Sequence, residues 1–383
     1  MTVVTCAPNH PSGVVYPGYR NRLLQTEVAN GVRVIRVWTL LVPNQGTIRR
    51  SLSYMSYLIS VTLLMWRLPR ADVIVSTSPQ FFCGLAGFVA RVFKRAPWIL
   101  EIRDLWPESI IAVGALRDGV VVRALEWLEG FAYRRADAIV TVSRAFVPHI
   151  ATLSHDPLKI SVLKNGVDRT VFDPDKPGND IRAELGLSGR FVAAYIGTLG
   201  LAHGVGTILE AAEQLRADHR IAFLIVGDGA ERTELEAECT RRKLDNVLIL
   251  GQRPHTDMPD IWRACDAALV LLRRRDAFKK VLPSKMFEAM AMRRPIILGV
   301  EGHAQAMLDR AGAGIAIKPE NADDLADAVR RLADDRALAK RYGEQGYAHA
   351  RENHDRERLA QQYLGLLRTI SSKKRADDAR LDR

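Results

Sequence analysis

A cation and a carboxylate stand one helical turn apart in the apolar segment VLPSKMFEAMAMRRP, residues 281–295. Pro283 precedes a predicted helix that Ser284 can cap, and Lys285 and Glu288, three residues apart, share one face of it. Free backbone N–H groups together with Lys285 would form a site for a diphosphate, and Glu288 can accept two hydroxyl hydrogen bonds from a ribose. A buried carboxylate needs a partner, so the alternative is an intrahelical Lys285–Glu288 pair without a ligand.

Cations are concentrated just upstream of this helix. The preceding loop carries Arg273, Arg274, Arg275, Lys279 and Lys280. Their charge favours an anionic ligand, although a solvated loop produces the same pattern.

Two further turns join a predicted strand to a helix through glycines. Residues 197–204, GTLGLAHG, follow one strand, and residues 227–232, GDGAER, follow the next. Glycine lets a ligand approach the backbone, and a helix start offers N–H groups to an anion. Glycines are also common at such turns for steric reasons alone. Together with the turn at Ser284, these are three turns at one edge of a predicted sheet.

Strands and helices alternate along the whole chain, as in parallel sheets covered by helices on both faces. The alternation stops at a segment rich in Pro, Gly, Asp and Asn and then restarts. This predicts an α/β fold of two Rossmann-like domains with a ligand cleft between them. The predicted segments are an N-terminal domain (1–165), a linker (166–180), a C-terminal domain (181–352), a C-terminal helix that packs back on the N-terminal domain (353–371) and a disordered tail (372–383).

Composition agrees with a globular protein of two domains. The chain has 383 residues, 48% of them hydrophobic, and a formal net charge of +11. The four cysteines show no disulfide or metal spacing, which predicts reduced thiols and a cytoplasmic location. No signal peptide is predicted.

The positive charge requires an anionic partner or substrate. No nucleic-acid-binding motif accompanies it, so we expect no nucleic acid partner. The uncharged run SLSYMSYLISVTLLMW, residues 51–66, is shorter than the ~20 residues of a membrane-spanning helix and predicts a buried helix. The alternative is a helix that lies on an anionic membrane surface, because arginines flank the run.

The motifs in their order along the chain resemble a known family. The resemblance is carried by G-x-L-x-x-x-(basic)-G from residue 197, V-G-D-G, G-Q-R and P-S-K-x-F-E-A-M-A-x-x-x-P, preceded by N-G-V-D-x-x-x-F. This set resembles the retaining GT-B glycosyltransferases of family 4. The N-terminal motifs at 8–20 and E-I-R-D-L-W-P-E at 101–108 resemble a bacterial branch, the L-fucosaminyltransferase-like enzymes of O-antigen and capsule synthesis.

The resemblance implies a hexosyl-type transferase that moves a sugar, expected to be a deoxy or amino sugar, with retention. The donor would be a UDP-linked sugar bound by the C-terminal domain. The acceptor would be a polyprenyl-diphosphate-linked saccharide bound by the N-terminal domain, in surface polysaccharide synthesis. No metal and no other cofactor are expected, and the enzyme would work in the cytoplasm or peripherally on the inner face of the cytoplasmic membrane.

Residue by residue, Glu288 matches the glutamate that holds the donor ribose, the loop with Arg253 matches the one that contacts the base, and residues 197–204 match the diphosphate loop. The implied donor-binding residues are Glu288, Gly197, Thr198, His203, Gly227, Arg253, Ser284 and Arg273.

The sequence also departs from the family pattern. Lys280 stands where the first glutamate of E-x7-E is usual, and Thr198 and His203 replace the usual cations of the phosphate loop. Neutralising the leaving diphosphate would then rest on Lys285 and on the arginines from Arg273 to Arg275.

Arg103 stands where a histidine is often found in the first domain, with Asp104 beside it. Arg103 could bind an acceptor phosphate and Asp104 could orient or deprotonate the acceptor hydroxyl. The two could equally pair with each other. With Lys285 they complete the set of predicted catalytic residues.

The strand, glycine-rich loop and helix that usually begin the family fold are not found before the first motif. A late start, a truncation, or a fold that tolerates the loss would each explain this. Two rival functions follow, a UDP-sugar 2-epimerase of the same fold and a truncated, non-catalytic nucleotide-sugar-binding protein.

Overall fold

The computed structural model describes residues 1–9, 13–42, 47–78, 80–108, 111 and 119–381. The chain divides into two compact units. Unit 1 comprises Met1–Leu163 and Gln362–Arg383, and unit 2 comprises Lys164–Gln361. The predicted boundary at residue 165 lies beside this division, and the C-terminal segment rejoins unit 1 at Gln362 rather than at the predicted 353.

Unit 1 holds two sheets. In the first, β1 lies parallel to β3, and β2 is antiparallel to β3, in the order β1-β3-β2. The second is a parallel sheet in the order β4-β5-β6-β7. The strands are β1 (Thr2–Cys6), β2 (Leu24–Ala29), β3 (Val32–Val37), β4 (Ile74–Ser78), β5 (Trp98–Ile102), β6 (Ala138–Thr141) and β7 (Ile160–Val162). β1 and β4 are therefore each an edge strand of their own sheet.

Five helices of the described chain pack on these sheets. α1 (Thr47–Leu63) packs against β3 and against α2 (Phe81–Lys94). The parallel sheet is covered by α2, α3 (Val120–Arg135) and α4 (Val147–Ser154) on one face and, from the end of the chain, by α13 (Arg356–Leu381) on the other. Successive residues of a strand point to opposite faces. Trp98 and Leu100 of β5 accordingly enter the core beneath α3 and α4, while Ile99 packs with Tyr363 and Leu366 of α13.

The end of the chain differs from the prediction. Helix α13 continues to Leu381, whereas we predicted a disordered tail from residue 372. Residues 382 and 383 lie outside the described part of the chain. None of the described helices combines the length and the apolar character needed to span a bilayer.

Unit 2 is one parallel sheet of six strands in the order β10-β9-β8-β11-β12-β13. The strands are β8 (Phe191–Ile196), β9 (Ile221–Val226), β10 (Val247–Leu250), β11 (Ala267–Leu271), β12 (Ile296–Gly299) and β13 (Gly314–Ala316). Every residue of β8, β9 and β11 is buried, as expected for strands covered on both faces.

Eight helices of the described chain belong to unit 2. They are α5 (Ile181–Glu184), α6 (Gly206–Gln214), α7 (Arg232–Arg242), α8 (Met258–Ala264), α9 (Lys285–Ala291), α10 (His303–Ala311), α11 (Ala322–Asp334) and α12 (Arg336–Asn353). The strand order reverses between β8 and β11, and ligands of such sheets bind at the carboxyl ends of the strands at that point.

Candidate functional site

The three predicted turns meet at the carboxyl ends of the central strands of unit 2. Gly197 follows β8 and Gly227 follows β9, both with φ of +147°. A Cβ on Gly227 would collide with the carbonyl oxygen of Gly197, and one on Gly197 would lie 2.9 Å from Lys285 Nζ. Glycine is therefore required at both positions by backbone conformation and by close approach.

Lys285 places a buried cation beside Gly197. Its Nζ lies 3.7 Å from the centroid of the Tyr195 ring and has no hydrogen-bond partner among the described residues. Burial lowers the pKa of Lys285 to about 7, and the nearby Glu288 carboxylate opposes that shift. A buried ammonium without a partner is costly, so this position is suited to an anion supplied by a ligand.

Glu288 is held by a residue that sequence reasoning missed. The indole Nε1 of Trp262, in α8, donates to Glu288 Oε2 at 3.3 Å. Burial raises the pKa of Glu288, although this hydrogen bond and the charges of His255 and Lys285 lower it. Lys285 Nζ has no hydrogen-bond partner within the described chain, so Lys285 and Glu288 share a helical face and interact through their charges without a direct hydrogen bond.

Ser284 does not cap α9 as predicted. Its backbone is already helical, with φ of −61° and ψ of −30°, and its side chain makes no capping hydrogen bond. The Ser284 carbonyl oxygen instead accepts from the N–H of Phe287. The exposed Ser284 hydroxyl is left at the surface beside Lys285.

The loop after β8 is organised by Tyr195 and His203. The Tyr195 hydroxyl donates to the Thr198 carbonyl oxygen at 2.8 Å, and the Thr198 side chain is exposed. His203 Nδ1 lies 3.3 Å from the Gly200 carbonyl oxygen. Burial first, and then the charge of Lys285, lower the pKa of His203 to about 4. His203 is therefore neutral at pH 7 and does not replace the cation that is usual in the phosphate loop.

Arg273 is paired within the protein. Its Nη2 donates to Glu231 Oε1 at 2.7 Å, and Glu231 is buried. The backbone N–H of Arg273 donates to the Ala202 carbonyl oxygen, and that of Glu231 donates to Leu199. Arg273 thus ties the loop after β11 to the loop after β8, a role that the sequence pattern did not reveal.

Arg253 is exposed in the loop that follows β10. A second arginine borders that loop, because a Cβ on Gly251 would lie 2.9 Å from Arg232 Nη1. Arg232 belongs to the GDGAER turn and donates to Glu236 at 2.8 Å. We did not predict Arg232 as a site residue, although it is the basic residue at the end of the GDGAER motif.

Arg103 and Asp104 follow β5 in unit 1. Arg103 Nη1 donates to Glu101 Oε1 at 3.2 Å, and Glu101 also accepts from the Tyr363 hydroxyl of α13. Burial raises the pKa of Asp104 to about 6, while the Arg103 charge lowers it. Arg103 therefore forms an ion pair with Glu101, and its charge also acts on the neighbouring Asp104.

The described residues include no cluster of three His, Cys, Asp or Glu side chains placed to hold a metal ion. In the D-x-D sequence of the linker, residues 173–175, Asp175 forms an ion pair with Arg293, which follows α9.

Comparison with known families decides the class of protein. Residues 178–349 match the family model described as glycosyl transferases group 1, and residues 1–166 match the glycosyl transferase 4-like domain. The chain is a glycosyltransferase whose C-terminal region matches the group 1 family and whose N-terminal region matches the 4-like domain. The matched regions correspond closely to the two units, and the enzyme combines two Rossmann-like domains of the GT-B fold.

Individual relatives agree with this assignment. A protein of Escherichia coli (strain K12) that carries the name of a colanic acid biosynthesis glycosyl transferase, WcaI, is 23% identical over 96% of this chain and 91% of its own length. Sucrose-phosphate synthase from Thermosynechococcus elongatus has a TM-score of 0.79 at 20% identity, covering 97% of this chain and 89% of its own. Anabaena HepE in complex with UDP has a TM-score of 0.66 at 20% identity, covering 88% and 86%.

Proposed function

We propose that this glycosyltransferase transfers a sugar from a UDP-linked donor with retention of configuration, and that unit 2 binds the donor. The proposal rests on the environment of Lys285 Nζ. This atom is buried beside Gly197 and has no hydrogen-bond partner in the described chain. A diphosphate supplies the charge and the acceptor oxygens that this ammonium needs. The complex of HepE with UDP supports the choice of nucleotide.

The ribose is assigned to Glu288. Its carboxylate can accept from two neighbouring hydroxyls, and the indole of Trp262 fixes its orientation through Oε2. Arg253, Thr198 and Gly227 border the turns around this position and complete the proposed donor site.

Catalysis would rest on positioning and on electrostatic stabilisation of the leaving diphosphate. Lys285 would supply the positive charge at the leaving group. Burial lowers the pKa of His203 to about 4 and Arg273 is paired with Glu231, so Lys285 would be the main cation at the leaving group, with Arg274 and Arg275 as further candidates. No metal and no other cofactor is part of the proposal.

The acceptor is assigned to unit 1. Asp104, with a pKa of about 6, is ionised at pH 7 and is suited to accept a proton from an acceptor hydroxyl. Arg103 would bind a phosphate of the acceptor. We propose a polyprenyl-diphosphate-linked saccharide as this acceptor, and surface polysaccharide synthesis in the cytoplasm as the process, supported by the basic net charge and by the name of the relative WcaI.

The test is a transfer assay. The purified protein is incubated with a panel of UDP-sugars, with and without a polyprenyl-diphosphate saccharide, and the product is examined by mass spectrometry and by the anomeric coupling in its NMR spectrum. We expect a product that needs the acceptor and keeps the donor's configuration. An inverted product would contradict retention, and a changed sugar formed without acceptor would indicate epimerisation.

A further inference from the structure

Helix α1 of unit 1 is apolar on two opposite faces. One face enters the core of unit 1. Val61 of α1 and Met65, just after the helix, are buried there, and Tyr57 and Leu58 pack against this cluster. The other face is exposed. It carries Leu52, Met55, Ile59 and Leu63, with Trp66 in the turn that follows the helix, which are 52%, 38%, 52%, 70% and 71% exposed.

The spacing shows that these exposed residues form one stripe. They follow one another at intervals of three, four, four and three residues, which is the repeat of one helical face. The stripe lies opposite the face that enters the core, so the fold of unit 1 itself does not explain its apolar character. An exposed apolar helical face with cations at its ends is typical of a helix that lies on a membrane.

The end of α2 extends this surface. Val92 and Phe93 are 55% and 62% exposed. They lie at the same end as Trp66, because Lys94 Nζ donates to the carbonyl oxygen of Leu68 at 2.6 Å. We call Leu52, Met55, Ile59, Leu63, Trp66, Val92 and Phe93 the α1 surface.

Exposed apolar side chains are unevenly distributed between the units. Among the large hydrophobic residues that are exposed in the described chain, Leu201 alone belongs to unit 2. Scattered apolar residues are normal on protein surfaces, whereas a continuous stripe marks a site of interaction.

Exposed cations flank both ends of the α1 helix. Residues 28–100 contain nine cations, which are eight arginines and Lys94, and a single acidic residue, Asp72. Arg49 and Arg50 are exposed at the start of α1. At its other end the Arg67 guanidinium lies 4.5 Å from the centroid of the exposed Trp66 ring.

We propose that the α1 surface docks this enzyme on an anionic lipid bilayer. Leucine, isoleucine and tryptophan side chains would enter the boundary between headgroups and acyl chains, and the flanking arginines would contact anionic headgroups. A second copy of the chain fits poorly, because two such basic surfaces would repel each other. The inference rests on the proposed function in one respect, that a membrane-bound enzyme meets a lipid-linked acceptor.

Vesicle flotation tests the proposal without nucleotide or acceptor. The full chain is mixed with vesicles of phosphatidylcholine alone or with about one third phosphatidylglycerol, at low salt and at 0.5 M NaCl. We expect binding to the anionic vesicles that weakens at high salt, because the Debye length falls from about 10 Å at 0.1 M to a few Å. Absence of binding to anionic vesicles at low salt would overturn the proposal.

Matched double variants locate the surface. Ile59→Ser with Leu63→Ser should reduce the partition coefficient at least tenfold, whereas Val28→Ser with Leu158→Ser, which removes exposed side chains from β2 and from the turn before β7, should change it less than twofold. Equal loss in both variants, or none in the first, would overturn the assignment.

Four further measurements keep the outcomes distinct. Unchanged thermal unfolding of both double variants would show that the fold is intact, and replacing Arg49, Arg50 and Arg67 by serine should also weaken binding. A dimer of the wild type that Leu63→Ser dissociates would show that a second copy covers the surface and would overturn the proposal. Nucleotide affinity is measured separately, so loss of donor binding would count against the proposed function and leave the membrane result standing.

Discussion

The pKa of Lys285 predicts how donor binding depends on pH. The free enzyme holds this pKa at about 7, so Lys285 is about nine-tenths protonated at pH 6 and about one-tenth protonated at pH 8. A bound diphosphate favours the ammonium form and raises its pKa. Binding therefore takes up a proton above pH 7, and affinity for UDP should fall about tenfold between pH 6 and pH 8, or about 1.4 kcal/mol.

Calorimetric titration of UDP at pH 6, 7 and 8 measures this effect. The phosphates of UDP titrate in the same range, so the informative quantity is the affinity of the wild type relative to Lys285→Met. The ratio of wild-type to Lys285→Met affinity should fall about tenfold from pH 6 to pH 8. The side chain of Lys285→Arg stays charged, so the ratio of its affinity to that of Lys285→Met should stay constant over the same range. The heat measured in buffers of different ionisation enthalpy should also show proton uptake near pH 7.5.

One result would refute the reasoning. If the ratio of wild-type to Lys285→Met affinity stays constant from pH 6 to pH 8, Lys285 either does not contact the diphosphate or is already fully protonated in the free enzyme.

Three further predictions concern single side chains. Gly197→Ala should weaken UDP binding at least tenfold, because the added methyl would lie 2.9 Å from Lys285 Nζ at a φ of +147°, and titration measures it. Trp262→Phe removes the indole donor to Glu288, and should weaken binding of UDP a few-fold by loss of one hydrogen bond while leaving 2′-deoxy-UDP less affected. Asp104→Asn should lower kcat by about two to four orders of magnitude if this carboxylate is the base, with UDP affinity unchanged, as measured by transfer kinetics and titration.

The controls come from the same chain. Gly206→Ala is the match for Gly197→Ala, because a Cβ at Gly206 meets nothing within 4 Å, and equal losses in both would show a general effect on folding. Equal loss of UDP and 2′-deoxy-UDP in Trp262→Phe would contradict the ribose assignment. A kcat of Asp104→Asn within a few-fold of wild type would exclude Asp104 as the base.

The sequence predicted which loops form the candidate site. Gly197, Gly227 and Lys285 are far apart in the chain, but each follows or approaches the carboxyl end of a strand in one parallel sheet. Such ends meet at one edge, so alternation of strands and helices with glycine turns was enough to bring these loops together.

The sequence could not predict the contacts between elements. The pair of Arg273 with Glu231 and the hydrogen bond from Trp262 to Glu288 join residues tens of positions apart, and no local pattern encodes them. The neutral state of His203 depends on burial, which is a property of the folded unit. Ser284 matched the residue preference of a cap, but its backbone had already entered the helix.

Two elements were also missed for local reasons. Strand β2, LQTEVA, is polar and half-exposed, so it lacks the apolar run that identified the other strands. The last residues of α13 are charged and resemble a disordered tail in composition, yet the helix continues to Leu381.

The central claim is that unit 2 binds a nucleoside diphosphate sugar through Lys285 and Glu288. The most direct test is calorimetric titration of the wild type and of Glu288→Ala with UDP, GDP and ADP at pH 7. We predict selective binding of UDP that weakens at least tenfold in Glu288→Ala. Binding of none of the three nucleotides, or equal UDP affinity of both proteins, would contradict the account.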